Sequence, residues 1–243
     1  MKETIKLTSF ISGSGTTIEA IGNEVNKQKL PIEIVSVIAS SANIGALEKA
    51  RRLGIPEKNI MIIDPNDFRN SEGKINQERY GVELLIALDK IKPDLITLNG
   101  FLYLLPEAVI EEYPDMIFNQ HPGPVPEFGG RGMFGRRVHC AVLLFRRITN
   151  IDYWTEVVIQ KIHPEYDKGF VVKKSRVDIL PEDCIEDLQK RTLPIEHINQ
   201  INMLKDFIER KIRPLDSTII LQPGEEDILK FCKKLSKLMY PKG

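Results

Sequence analysis

The sequence predicts an α/β protein: an open, mostly parallel twisted sheet with helices on both faces and an antiparallel C-terminal part. Three observations carry that prediction. Up to Asn119, short β-branched runs alternate with helical patterns, which requires parallel strands joined by right-handed crossovers. The run Ile32 to Ala39, IEIVSVIA, is almost continuously apolar, as expected of a strand buried on both faces. Past Pro126 the alternation stops, and two strand-like segments lie close enough in sequence to pair antiparallel.

In order, Lys6–Ile11 reads as the first strand, Thr17–Gln28 as a helix and Ile32–Ala39 as the second strand. Asn43–Leu53 is helical and stops at Gly54 and Pro56. Ile60–Ile63 is a short strand, and Ile75–Ile91 is a helix ended by Lys92-Pro93. Leu95–Leu98 is a strand, Pro106–Glu112 a helix with proline at an early position, and Met116–Asn119 the fifth strand. Gly135–Phe145 reads as a helix, Trp154–Lys161 and Phe170–Ile179 as the antiparallel pair, and Pro181–Ile208 as mostly helical. Ser217–Leu221 reads as a short strand, and Gly224–Met239 as an amphipathic helix with a basic face. The expected organisation is a domain over 1–210, in two halves to about 115 and over 116–210, then an extension over 211–243.

With 34 Lys and Arg against 34 Asp and Glu, the formal net charge is zero, which excludes an extended nucleic-acid footprint. No apolar run approaches the roughly 18 residues of a membrane span, and the N-terminus lacks a signal-peptide core, so the expected setting is cytoplasmic. Cys140, Cys184 and Cys232 are odd in number and far apart; neither a zinc site nor a disulfide framework is expected.

The loop SGSGTT places Gly13 and Gly15 between the first strand and helix. Glycines there let a ligand approach the backbone, and the helix N-terminus favours a phosphate. Thr16 and Thr17 are candidate capping and donor hydroxyls. Taken alone, the loop reads equally as a tight turn. A dinucleotide fits poorly, because Ile18 stands where a third glycine belongs and Ser40-Ser41-Ala42 supplies no acid.

The segment MIFNQHPGPVPEFGG ends the fifth strand with Asn119 and His121 two residues apart. In extended chain both face the same way, and Pro122 keeps His121 out of the helical region. Asn offers a neutral N–H donor for a developing oxyanion, and His offers a proton near neutral pH. No Ser or Cys nucleophile adjoins them, which points to direct transfer between two substrates. The alternative is a pair of loop residues satisfying backbone groups.

Five segments together resemble the folate-dependent formyltransferases, in that family's order: ISGSGTTIEAI, VIASSANIGALEKARRLGIP, KPDLITLNGFLYLLPEAVI, FNQHPGPVPEFGGRGMFGRRVHCAVL and YDKGFVVKKSRVDIL. The stretch Gly130–His139 looks like the phosphoribosylglycinamide branch. The resemblance implies a Rossmann-like formyltransferase fold, 10-formyltetrahydrofolate as co-substrate, a phosphoribosylated amine as acceptor, no metal, and a monomer or homodimer. It implies that Asn119 holds the formyl oxygen, that His121 is the general acid, and that Asp167 favours the imidazolium and orders a water. It places the substrate phosphate at Gly13, Gly15, Thr16 and Thr17, the ribose at Glu196, and the pterin edge along the backbone of Leu102, Tyr103, Leu104 and Leu105, beside Asn119.

The chain departs from the family pattern at Gln160, where many relatives carry a histidine, at Tyr103, often Arg, and at Leu193, often polar. Lys168 after Asp167 is unusual, and Arg69 is a candidate cation on the folate side. Other readings are formyl transfer to a different amine, hydrolysis of the formyl-folate, an idle folate- or nucleotide-binding protein, and, more distantly, a nucleotide-linked oxidoreductase.

Overall fold

The computed structural model describes residues 4–27, 30–216, 218 and 220–243. Strands are β1 Ile5–Ile11, β2 Ile32–Ala39, β3 Ile60–Ile62, β4 Leu95–Leu98, β5 Ile117–His121, β6 Trp154–Lys161 and β7 Val171–Asp178. Helices are α1 Thr16–Asn26, α2 Ala46–Arg52, α3 Gln77–Ile91, α4 Glu107–Glu112, α5 Arg136–Thr149, α6 Ile185–Ile208 and α7 Glu226–Met239. The hydrogen-bonded strand order is β3-β2-β1-β4-β5-β6-β7. β1 pairs in parallel with β2 and β4, β2 with β3, and β4 with β5, whereas β6 and β7 pair antiparallel. The expected sheet, parallel first and antiparallel last, is the one observed.

Contacts divide the chain into two compact units. The first runs to Asn119 and takes in Ile208–Arg210; the second holds Gln120–Phe207 and Lys211–Gly243. In the first, right-handed crossovers outward from β1 put α1 and α2 on one face, and the return through β4 and β5 puts α3 and α4 on the other. α1 packs on α2, and α3 on α4. The reversal of direction between β1 and β4 makes their carboxyl ends a topological switch point, where open α/β sheets take ligands. The second unit has its own core, in which Val138, Val142 and Phe145 of α5 meet Val157 of β6, Val177 of β7, Leu188 of α6, and Leu229 and Cys232 of α7.

Element ends moved by a few residues, for local reasons. α3 starts at Gln77 because the Asn76 side chain accepts the Arg79 N–H at 3.0 Å as its N-cap. α5 runs on to Thr149 and ends at Asn150 in the left-handed region (φ 53°). β5 continues to His121, because polar side chains do not interrupt a backbone ladder. Of the strand expected over Ser217–Leu221, Ser217 and Ile219 lie outside the described residues, and Thr218, Ile220 and Leu221 are not in a strand. Gln28, the expected end of the first helix, is also outside them.

Candidate functional site

Within the first unit, three of the expected segments meet at the carboxyl ends of β1, β4 and β5. The glycine loop leaves β1 at Ile11 and enters α1 through Gly15, which is left-handed at φ 72°. A Cβ on Gly15 would lie 2.6 Å from the Ala46 Cβ, so conformation and close packing both select glycine there. Capping by Thr16 and Thr17 is corrected: Thr16 is the first helical residue, and the N-cap is Gly15, which has no side chain to bond the helix start. The first-turn N–H groups therefore keep their positive field at the loop. Gly13 is exposed, Thr16 half-buried and Thr17 buried.

After β4, Asn99 donates from Nδ2 to Ser9 Oγ (2.8 Å) and Thr97 Oγ1 (3.0 Å), fixing the start of the next loop. Ser12 N–H donates to the Gly100 carbonyl at 3.2 Å, and Ser12 Oγ accepts the Leu102 N–H at 3.2 Å. That bond engages the Leu102 N–H. Leu105 is buried, Tyr103 and Leu104 are half-buried, and Leu102 is exposed. The Tyr103 hydroxyl accepts from Asn66 Nδ2 at 3.3 Å. Arg69 folds back onto its own loop, donating from Nε to Asn66 Oδ1 (2.9 Å) and from Nη1 to the Gly73 carbonyl. Asn119 closes this edge, opposite Leu98 in the β4–β5 register.

The second unit holds His121 and Asp167, both nearly buried. His121 Nε2 lies 3.3 Å from the Phe128 carbonyl, an acceptor only, which assigns the N–H to Nε2. Nδ1 faces Asp167 Oδ1 at 3.9 Å, too far for a direct hydrogen bond and an ion pair only in the imidazolium form. Asp167 sits left-handed at φ 55°. Its Oδ2 accepts the Gly130 N–H at 2.8 Å, and its Oδ1 accepts Gln160 Nε2 at 2.6 Å. Gln160, singled out as a departure, thus orients the carboxylate without titrating. Two glycines permit the arrangement: a Cβ on Gly129 would lie 2.5 Å from Asp167 Cβ, and one on Gly169 would lie 1.6 Å from the Lys161 carbonyl oxygen. Lys168 is exposed and pairs with Glu165 at 3.8 Å, and His163 Nδ1 accepts the Glu165 N–H at 3.0 Å.

Gln120, between Asn119 and His121, points to the opposite face of β5. Its Nε2 donates to Glu196 Oε2 at 2.7 Å. Burial pushes Glu196 up to about 7, against the lowering effect of the Gln120 bond. Glu196 thus lies with Gln120 rather than with His121. Leu193 sits one helical turn before it in α6. His139 of α5 is buried, and burial, helped by the charge on His121, holds it down at about 4, so it stays neutral. Among the described residues, no group of His, Cys, Asp and Glu is arranged to hold a metal ion, and no helix is long and apolar enough to cross a membrane.

Sequence reasoning missed Gln120, whose only signal was a polar residue inside an apolar strand, and Lys233, which had none. Lys233, on α7, donates from Nζ to the carbonyls of Glu127 and Gly129, each at 2.7 Å.

The formyl transferase family profile matches residues 5–204. A chloroplastic phosphoribosylglycinamide formyltransferase of Arabidopsis thaliana is 29% identical over 208 residues, covering 86% of this chain and 67% of that protein. The phosphoribosylglycinamide formyltransferase of Haemophilus influenzae is 26% identical over 216 residues, covering 89% of this chain and 93% of its own. The solved phosphoribosylglycinamide formyltransferase of Coxiella burnetii superposes with a TM-score of 0.73 at 26% identity, over 90% of this chain and 94% of that one. With a profile spanning β1 through most of α6 and the strand order that accompanies it, this chain belongs to the formyl transferase family.

Proposed function

We propose that this protein transfers the formyl group of 10-formyltetrahydrofolate to the amine of N1-(5-phosphoribosyl)glycinamide, releasing tetrahydrofolate and N-formylglycinamide ribonucleotide in de novo purine biosynthesis. The observation that carries the reading is the His121–Asp167 pair two residues beyond Asn119, with the carboxylate held by Gly130 and Gln160. The amine attacks the formyl carbon, the C=O π pair moves to oxygen, and a tetrahedral oxyanion forms. Asn119 donates to that oxygen, and His121, in its imidazolium form opposite Asp167, supplies the proton. Collapse breaks the bond to the folate nitrogen, which leaves with the His121 proton, and the surplus proton of the attacking nitrogen returns to the imidazole. The substrate phosphate binds the N–H groups at Gly13–Thr17, and the pterin edge lies along Tyr103–Leu105. The setting is cytoplasmic, with both substrates free small molecules.

The test follows tetrahydrofolate release with and without phosphoribosylglycinamide. Release that requires the glycinamide supports the reading; release without it indicates a hydrolase. His121→Ala should lower kcat by a factor of about 100 or more with the circular dichroism spectrum unchanged. Wild-type turnover in that variant would remove His121 from the mechanism.

A further inference from the structure

We propose that Lys233 of the C-terminal helix is a positioning residue for formyl transfer, fixing His121 and Asp167 through the loop between them. The inference rests on the formyl-transfer reading of those two residues. α7 lies past residue 204, where the family profile ends, yet Leu229 and Cys232 bury it in the core of the second unit. One residue beyond Cys232, the Lys233 ammonium donates to the Glu127 and Gly129 carbonyls, both at 2.7 Å. Those carbonyls flank Phe128, whose own carbonyl meets His121 Nε2 at 3.3 Å. Clipping the two neighbours to α7 turns the middle carbonyl towards the imidazole. The Gly129 carbonyl also shares a planar peptide with the Gly130 N–H, which points the opposite way and donates to Asp167 Oδ2 at 2.8 Å. One peptide group therefore spans ammonium and carboxylate, and a cation on its oxygen strengthens the bond its N–H makes. Burial and the neighbouring Lys237 cation lower the pKa of Lys233, while the Asp167 and Glu127 carboxylates oppose that. Lys237, one turn on, bonds the Arg131 carbonyl at 2.8 Å, outside this relay, and serves as the control.

The test compares full-length wild type, Lys233→Met, Lys233→Arg and Lys237→Met. Lys233→Met should lower kcat about tenfold with both KM values nearly unchanged, as expected for loss of a charge-assisted bond that orients reacting groups. Lys233→Arg should recover part of that loss, and Lys237→Met should stay within about twofold of wild type. Imidazole nitrogen NMR, with His121 assigned through His121→Asn, should show Nε2–H in wild type and a mixed tautomer in Lys233→Met. Deuterium exchange at the Gly130 amide should be slow in wild type, an observation that needs no variant to fold. Unchanged kcat in Lys233→Met, an equal loss in Lys237→Met, an unmoved His121 signal or a fast Gly130 amide each overturns the proposal. Should wild type show no glycinamide-dependent turnover, the functional reading fails while the imidazole and amide signals still decide whether Lys233 positions the pair.

Discussion

Gln160 and Gly169 show how single side chains set the Asp167 carboxylate. Gln160 donates to Oδ1 at 2.6 Å from a buried site, and charge-assisted bonds of that kind contribute about 1.5–3 kcal/mol. Gln160→Met keeps the volume and removes the donor. It should lower kcat roughly tenfold with little change in KM, and steady-state kinetics showing a KM effect alone would assign Gln160 to substrate binding instead. Gly169 is a different case, because the Lys161 backbone oxygen occupies the space a Cβ needs. Gly169→Ala should cost about 1–3 kcal/mol, read as a lower Tm. An unshifted melting curve would mean that the turn moves aside without penalty.

At the scale of elements, the ends of β1, β4 and β5 matter more than their middles. The glycine loop depends on α1 and α2 approaching each other at Gly15 and Ala46. Gly15→Ala meets both a left-handed backbone and a 2.6 Å contact, so it should destabilise the protein by about 2 kcal/mol or more. It should also raise KM for the phosphorylated substrate by tilting the α1 N-terminus. A urea midpoint and KM both equal to wild type would detach the loop from phosphate binding. The helix itself and its Gly-rich entry were legible in the sequence. Its cap was not, because a Ser/Thr preference at helix starts gives way when close packing demands glycine.

Over the whole molecule, the half-buried Glu196 and the buried His139 tilt stability with pH in opposite directions. Glu196 binds its proton more tightly folded, at about 7, than at its ordinary 4.5, so its stabilising contribution is complete below 4.5 and is lost as pH rises through 7. His139 is depressed from 6.5 to about 4, so its contribution is present above 6.5 and is lost as pH falls through 4. Between pH 4.5 and 6.5 the two slopes oppose each other. Glu196→Gln removes one of them and keeps an oxygen to accept from Gln120. Its urea midpoint should fall steadily on acidification across that window while wild type changes less. Parallel profiles for the two proteins would show that Glu196 does not titrate there.

The sequence by itself determined the alternation of strands and helices, the switch to an antiparallel pair, and the shared face of Asn119 and His121. Those follow from side-chain period and backbone preference, which are local. Tertiary structure alone decided that Gln160 would hold Asp167, that Gln120 would claim Glu196, and that the Leu102 amide would be spent on Ser12. Each is a contact between segments whose approach depends on packing, which no period encodes. Lys233 is the extreme case: it lies 106 residues from Glu127, in a helix that sequence read only as amphipathic and basic. One of its lysines became a half-buried anchor because Leu229 and Cys232 fixed the rotation of α7 about its axis.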